Sequence, residues 1–234
     1  MILLFYLNYK QNVKGKNMAG VVDFGDFESK ICASCGYHWD YNVFDKSKLS
    51  CEFDRMFFTD IDYCPNCYYL GADIDKLNEK VKSEIDSGKY KKLLAPFNKK
   101  FAIVTRQDAF QFVVYAMICE DEGIYKTAAY NFYKAALIEQ DTISKYMSSG
   151  LYSDRDKKDI ELYKRKVEEY LDLSESNIRK YLKTNNDISA QIFLCGLLKK
   201  RGKEAEFTNI FRDLIANNKF TKEQVVVLRE LKGE

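Results

Sequence analysis

Proline is almost missing from this chain. Two prolines, Pro65 and Pro96, occur in 234 residues, so little interrupts a long helical region, because proline removes a backbone donor and clashes with the preceding turn. Histidine is scarcer still. With His38 as the one histidine, any His-based triad would have to use a single, poorly placed position. No charge of either sign dominates: 37 basic and 35 acidic residues leave a net +2, whereas nucleic-acid binders carry a clear basic surplus. The apolar opening, Met1-Ile-Leu-Leu-Phe-Tyr-Leu7, falls far short of the ~20 residues a membrane-spanning helix needs. It also lacks the basic start and the small-residue cleavage site of a secretion signal. No phosphate loop, zinc-protease helix or nucleophile with a neighbouring base can be found. The acidic pairs Asp60/Asp62 and Asp73/Asp75 read as solvated loop and helix-start carboxylates, and the expectation is that the protein is not an enzyme.

What is present is apolar and aromatic. Hydrophobic residues make up 46% and charged residues 31%, with 17 Tyr and 16 Phe, which suits a sizeable core. Four segments follow from the pattern. Residues 1–18 read as a tail or as an upstream extension ahead of a true start at Met18, a first strand being the alternative. Residues 19–71 alternate irregularly and lack a 3.6-residue period, as loops and short strands do; Met56–Tyr63 reads as a strand entering the second cysteine pair. Residues 72–104 hold a helix from Asp73 to Ile85, closed by Ser87-Gly88, and an irregular connection. Residues 105–234 read as helix almost throughout, with Ser174-Glu-Ser176 as a break in the long charged helix from Asp154 to about Lys183, and Thr221-Lys-Glu-Gln224 as a capping box.

Seven cysteines are present. Cys51, Cys119 and Cys195 are scattered, the last two in apolar runs, and an odd count with unpaired members points to a reducing compartment, the cytoplasm. The other four form two pairs, Cys32-x-x-Cys35 and Cys64-x-x-Cys67. A Cys-x-x-Cys turn aims two thiolates at one point, and two such turns complete the tetrahedral sulfur site that zinc or iron prefers. Gly36 supplies a left-handed position after the first pair, and Tyr68 stands at the equivalent place after the second. Four protein thiolates close the coordination sphere, so the metal is expected to hold a small ribbon together rather than to do chemistry. His38 and Cys51 are minor candidate ligands. Residues 31–71 carry Lys46, Lys48 and Arg55 against Asp40, Asp45, Glu52, Asp54, Asp60 and Asp62, which argues against a nucleic-acid ribbon, since a duplex needs cations against its phosphates.

Gly123, Ala128, Phe132 and Ala135, with Ala116 upstream, stand at the offsets of a tetratricopeptide repeat. The glycine allows a tight turn between antiparallel helices, the alanines let them approach, and the ring fills the seam. A weaker echo runs through Leu194–Leu198, Gly202, Phe207, Phe211 and Leu214. Helix pairs of this kind stack into concave surfaces that bind proteins or peptides, with Tyr125–Lys134 as candidate groove residues.

Two resemblances extend this reading. Cys32-Ala-Ser-Cys-Gly-Tyr and Tyr63-Cys-Pro-Asn-Cys67 resemble the rubredoxin pattern, which implies iron and electron transfer; the Gly- and Pro-free stretch Tyr41–Asp62 and Tyr68 depart from it. The ribbon ending Tyr63–Gly71, followed by Ala109–Ala116, Ala128–Leu137 and Leu197–Gly202, is similar to a bacterial family of uncharacterised proteins, found mainly in Firmicutes, that joins a cysteine-rich ribbon to tetratricopeptide-like helices. It departs at Cys32-Ala, where the family has Cys-Pro, and at Cys67-Tyr-Tyr, where it has Cys-Gly-Tyr. The combined expectation is a mainly α protein: a small N-terminal zinc-ribbon or rubredoxin-like β module, clamped by Cys32, Cys35, Cys64 and Cys67 around structural Zn2+ (alternatively Fe), then a helical repeat domain serving as adaptor for an unidentified protein or peptide. A rubredoxin-like electron carrier and a zinc-ribbon nucleic-acid binder are the alternatives, and no membrane role is expected.

Overall fold

The computed structural model describes residues 27–42, 51–57, 61–64, 66–90, 109–148 and 154–234. Met18 and the segment 1–18, Asp60, Pro65, Pro96, and Asp45, Lys46 and Lys48 lie outside them.

Two short hairpins form the N-terminal part. Strands β1 (Phe27–Ile31) and β2 (His38–Asn42) pair antiparallel, with Ile31 opposite His38, and β3 (Asp62–Tyr63) pairs with β4 (Leu70–Gly71). Between them in sequence lies a helix, α1 (Glu52–Phe57). Of the strand expected over Met56–Tyr63, Asp62–Tyr63 is a strand and Met56–Phe57 is helical, residues 58–60 lying outside the described ones. The first part is helical because Phe53 and Phe57, four residues apart and buried at 1% and 4% exposure, share one helical face.

Helix α2 (Glu79–Asp86) starts later than the expected Asp73. Asn78 caps it, its Oδ1 accepting from the backbone N–H groups of Lys80 and Val81, as an N-cap amide does. Residues ahead of the cap belong to the ribbon. Ile74 is buried and its carbonyl accepts from Ala33 N–H at 2.9 Å, while the Tyr69 hydroxyl donates to the Lys76 carbonyl at 2.8 Å and accepts from Asn78 N–H at 2.6 Å. Gly88, with φ +75°, ends the helix as expected.

The remaining described elements are helices: α3 (Ala109–Asp121), α4 (Tyr125–Ser148), α5 (Asp154–Leu182), α6 (Ile188–Lys200), α7 (Glu204–Asn217) and α8 (Lys222–Lys232). With α1 and α2 this makes eight helices among the described residues. Gly123 turns α3 into α4 at φ +74°, with Ile124 N–H donating back to the Cys119 carbonyl at 2.7 Å, a helix-ending motif that favours glycine. The seam contains the expected small residues and ring: Ala116, Cys119, Ala128 and Phe132 form one buried cluster. Gly202 makes the same turn between α6 and α7, which meet through Leu198, Phe207 and Leu214. Ser174 does not break α5. It is fully buried and its hydroxyl donates to the Ala129 carbonyl of α4 at 2.8 Å, so the hydroxyl ties two helices instead of capping one. The capping box at Thr221 and Gln224 forms as expected.

Two apolar cores follow. One gathers the ribbon residues Ile61, Tyr63, Tyr69 and Leu70 with Phe112, Val114 and Ile118 of α3. Tyr63 sets its ring edge-on to Phe110 at 5.4 Å, and Gln111 Nε2 donates to the Ile61 carbonyl at 3.0 Å. Helix α3 lies between the ribbon and α4 and is buried nearly all round, as an interior helix is. The second core joins α4 to α8, and α1 is part of it. Phe53 stacks on Phe193 at 5.9 Å and meets Tyr133 edge-on at 5.7 Å, while Phe57 meets Tyr130 at 5.3 Å. The buried Asp54 carboxylate accepts from the Tyr133 hydroxyl at 2.5 Å and pairs with Lys200 Nζ at 2.9 Å, and Glu230 of α8 accepts from Phe53 N–H at 3.0 Å. Six residues are too few to hold a helix alone; these partners hold α1.

Candidate metal centre

Each Cys-x-x-Cys pair sits in a tight turn, and the two turns are conformational copies. In the first, Gly36 N–H donates to the Cys32 carbonyl at 2.8 Å and Cys32 N–H to the Tyr37 carbonyl at 2.9 Å. In the second, Tyr68 N–H donates to the Cys64 carbonyl and Cys64 N–H to the Tyr69 carbonyl, both at 2.8 Å. The residue after each pair must take a positive φ: +69° at Gly36 and +63° at Tyr68. Glycine does so freely, while tyrosine does so against its Cβ. Tyr68 is half-buried and packs on the ribbon core, which offsets that strain.

The turns face one another. All four sulfurs lie within 4.8 Å of each other. Cys32 Sγ is 3.6 Å from Cys67 Sγ, and Cys35 Sγ is 3.6 Å from Cys64 Sγ. A disulfide needs about 2.05 Å, so these are free thiols. Tetrahedral sulfurs about 2.3 Å from one ion stand about 3.8 Å apart. The observed spacing fits that arrangement, and four thiolates are the donor set for a structural metal. Asn66, invisible as a site residue in the sequence, donates its backbone N–H to Cys64 Sγ at 3.4 Å and its amide to Cys35 Sγ at 3.5 Å. The Asn in Cys64-Pro-Asn-Cys67 was the available signal.

The thiols polarise one another. Cys67 is drawn down to about 5, first by the Cys64 thiol and then, against burial, by the Tyr69 N–H; Cys64 rises in return, through that same contact and burial. Burial raises Cys32. The remaining cysteines are different. Burial pushes Cys119 and Cys195 up to about 12 and, with lesser help from Asp54, Cys51 to about 11, as inert structural thiols behave.

The four expected ligands thus come together and the minor candidates do not. His38 is exposed on β2, opposite Ile31 and outside the thiol cluster. Cys51 is half-buried beside Asp54 at the start of α1. Asp62 is buried and paired with Lys30 at 3.4 Å, and Asp73 with Lys76 at 2.6 Å. The stretch Tyr125–Lys134, expected to offer groove residues, is turned inward or paired. Tyr133 and Lys134 are buried, Lys134 Nζ stands 4.1 Å over the Phe112 ring, and Lys126 pairs with Asp187 at 2.6 Å. The side of the helical region facing α1 is filled by Phe53 and Phe57.

No family model matches this chain, and comparison with curated proteins and with solved structures returned no match.

Proposed function

We propose that this chain is a zinc-stabilised, cytoplasmic binding or adaptor protein without catalytic activity of its own, whose tetratricopeptide-like helical region carries a protein or peptide partner. The observation that supports it best is the mutual packing of Cys32, Cys35, Cys64 and Cys67. Four protein sulfurs leave no coordination position open for water, which suits a structural rather than a hydrolytic ion. Zinc bound there would supply folding energy by cross-linking the two turns. The remaining cysteines are free thiols, in keeping with a reducing compartment, and no helix among the described residues is long and apolar enough to cross a membrane. Against nucleic acid, the described ribbon cations are engaged: Lys30 with Asp62, and Arg55 with Glu52.

Elemental analysis and a visible spectrum on purified protein test the metal. A colourless protein with about one zinc per chain supports the reading; a red iron protein would transfer the site to the rubredoxin-like alternative. The adaptor role fails if affinity capture from a native lysate returns no saturable partner.

A further inference from the structure

Helix α8 leaves a gap. It packs on α6 and on α1, while α7 packs chiefly on α6, so α7 and α8 splay apart. The cavity between them measures about 700 Å³. Its floor is apolar, formed by Phe211 and Ile215 of α7, Phe220 of the connection, and Val225 and Leu228 of α8. Ile215 is 44% exposed, so the trough opens to solvent along α7.

The rim is cationic. Arg212, Arg229 and Lys232 line it against Glu234. Lys232 is matched by Glu234 at 2.5 Å. Arg212 donates to Asn209 at 2.8 Å, and Arg229 acts on the Glu234 carboxylate at longer range; neither makes a close ion pair among the described residues. An apolar trough between two helices, edged by Arg212, Arg229 and Lys232 against the one carboxylate of Glu234, is the complement of an amphipathic helix with carboxylates beside its apolar stripe. The length agrees: the 11 residues of α8 span about 16 Å, or three turns. The chain's own apolar opening does not fit, because residues 1–17 contain Lys10, Lys14 and Lys16 and no acid.

We propose that the α7–α8 groove docks an acidic amphipathic helix of a partner protein, held by apolar side chains on Phe211, Ile215 and Leu228 and by carboxylates on Arg212 and Arg229. This rests on the adaptor reading above and names the chemistry of its partner.

The probes are two synthetic 15-residue helical peptides with one Leu/Phe stripe, flanked by Glu in one and by Lys in the other, titrated into metal-loaded full-length protein and followed by backbone amide shifts. The Glu-flanked peptide should shift α7 and α8 resonances and bind about tenfold tighter than the Lys-flanked one, since exchanging attraction for repulsion at two exposed cations is worth about that much. Arg212→Glu with Arg229→Glu, both at exposed positions, should invert the preference. Equal binding of both peptides overturns the proposal, as does failure of the double substitution to invert it. A concentration-dependent dimer that buries the groove also overturns it, by naming another occupant. Shifts confined to α3–α5 would sink the groove and leave the adaptor reading standing. No shift from either peptide overturns the groove; only if lysate capture also yields no saturable partner does the adaptor reading fall with it.

Discussion

Gly196 offers the sharpest test of how the N-terminal segment is locked into the helices. It lies inside α6, where glycine costs about 1 kcal/mol of helix propensity relative to alanine. A Cβ there would stand 2.0 Å from Phe53 Cε2, 2.3 Å from Cζ and 2.6 Å from Cδ2. Ordinary contact begins near 3.4 Å, so the ring would have to retreat by about 1.4 Å, the difference from 2.0 Å. It has little room to do so, with Phe57 at 5.1 Å on one side and Tyr133 at 5.7 Å on another. Moving α1 instead would pull Asp54 from Tyr133 and Lys200. Gly196→Ala should therefore destabilise by about 1–3 kcal/mol, the usual penalty of overpacking, despite its better propensity. Phe53→Ala, which empties the same space, should cost about 3–5 kcal/mol. In the double variant the new methyl occupies part of the vacated volume, so it should be no worse than Phe53→Ala alone, a coupling of 1 kcal/mol or more. Urea unfolding of the metal-loaded protein, followed by far-ultraviolet circular dichroism, measures all three. Additive losses, or stabilisation by Gly196→Ala alone, would refute the interlock.

Three further outcomes follow from the geometry. Cys32→Ser or Cys64→Ser should abolish tight metal binding and lower the melting temperature, while Cys51→Ser, Cys119→Ser and Cys195→Ser retain about one metal per chain by elemental analysis. Asp54→Ala should cost about 1.5–3 kcal/mol in urea unfolding, because the buried Tyr133 hydroxyl and Lys200 lose a charged partner; a neutral result would mean that water replaces the carboxylate. Glu175 sets a pH dependence. Burial raises its carboxyl, but Lys203 and Arg179 outweigh that and leave it below the ordinary 4.5. The unfolded chain then binds a proton first, so the stability this carboxylate contributes is fully present above about 4.5 and is lost as pH falls toward the folded value. Glu175→Gln should flatten that acid limb in pH-resolved urea titrations, and an unchanged slope would exclude the carboxylate as its source.

Local features were legible where the physics is local. The Cys-x-x-Cys spacing, the glycine turns at Gly123 and Gly202, the small residues Ala116 and Ala128 and the Thr221 capping box each depend on neighbours a few residues away, and each has the expected conformation. Misreadings came where a distant partner decided. Ser174 resembles a helix start until Ala129 of α4 takes its hydroxyl. Met56–Phe57 resembles the start of the strand that ends at Asp62–Tyr63 until the helical core claims Phe53 and Phe57 as one face. Ile74 fits a helical stripe, yet the ribbon takes both its side chain and its carbonyl, so α2, capped by Asn78, begins only at Glu79. Tyr125–Lys134 resembles an exposed aromatic-basic face until α1 and α3 cover Tyr133 and Lys134.

The amino-acid order by itself determined the thiol pairs, their turns and most of the C-terminal helices, because spacing, φ preference and periodicity act within a few residues. That the two pairs converge on one point was inferable from their chemistry; that they do so with sulfurs 3.6 Å apart is set by the two hairpins, whose turns the cysteine backbones help to close and whose core Cys32 and Cys64 join. Only the tertiary structure decided that α1, which lies between the two thiol pairs in sequence, leaves the ribbon and seats Phe53 against Gly196. Two segments that read as separate modules thereby share a core, since a six-residue aromatic helix is stable only where other helices bury it.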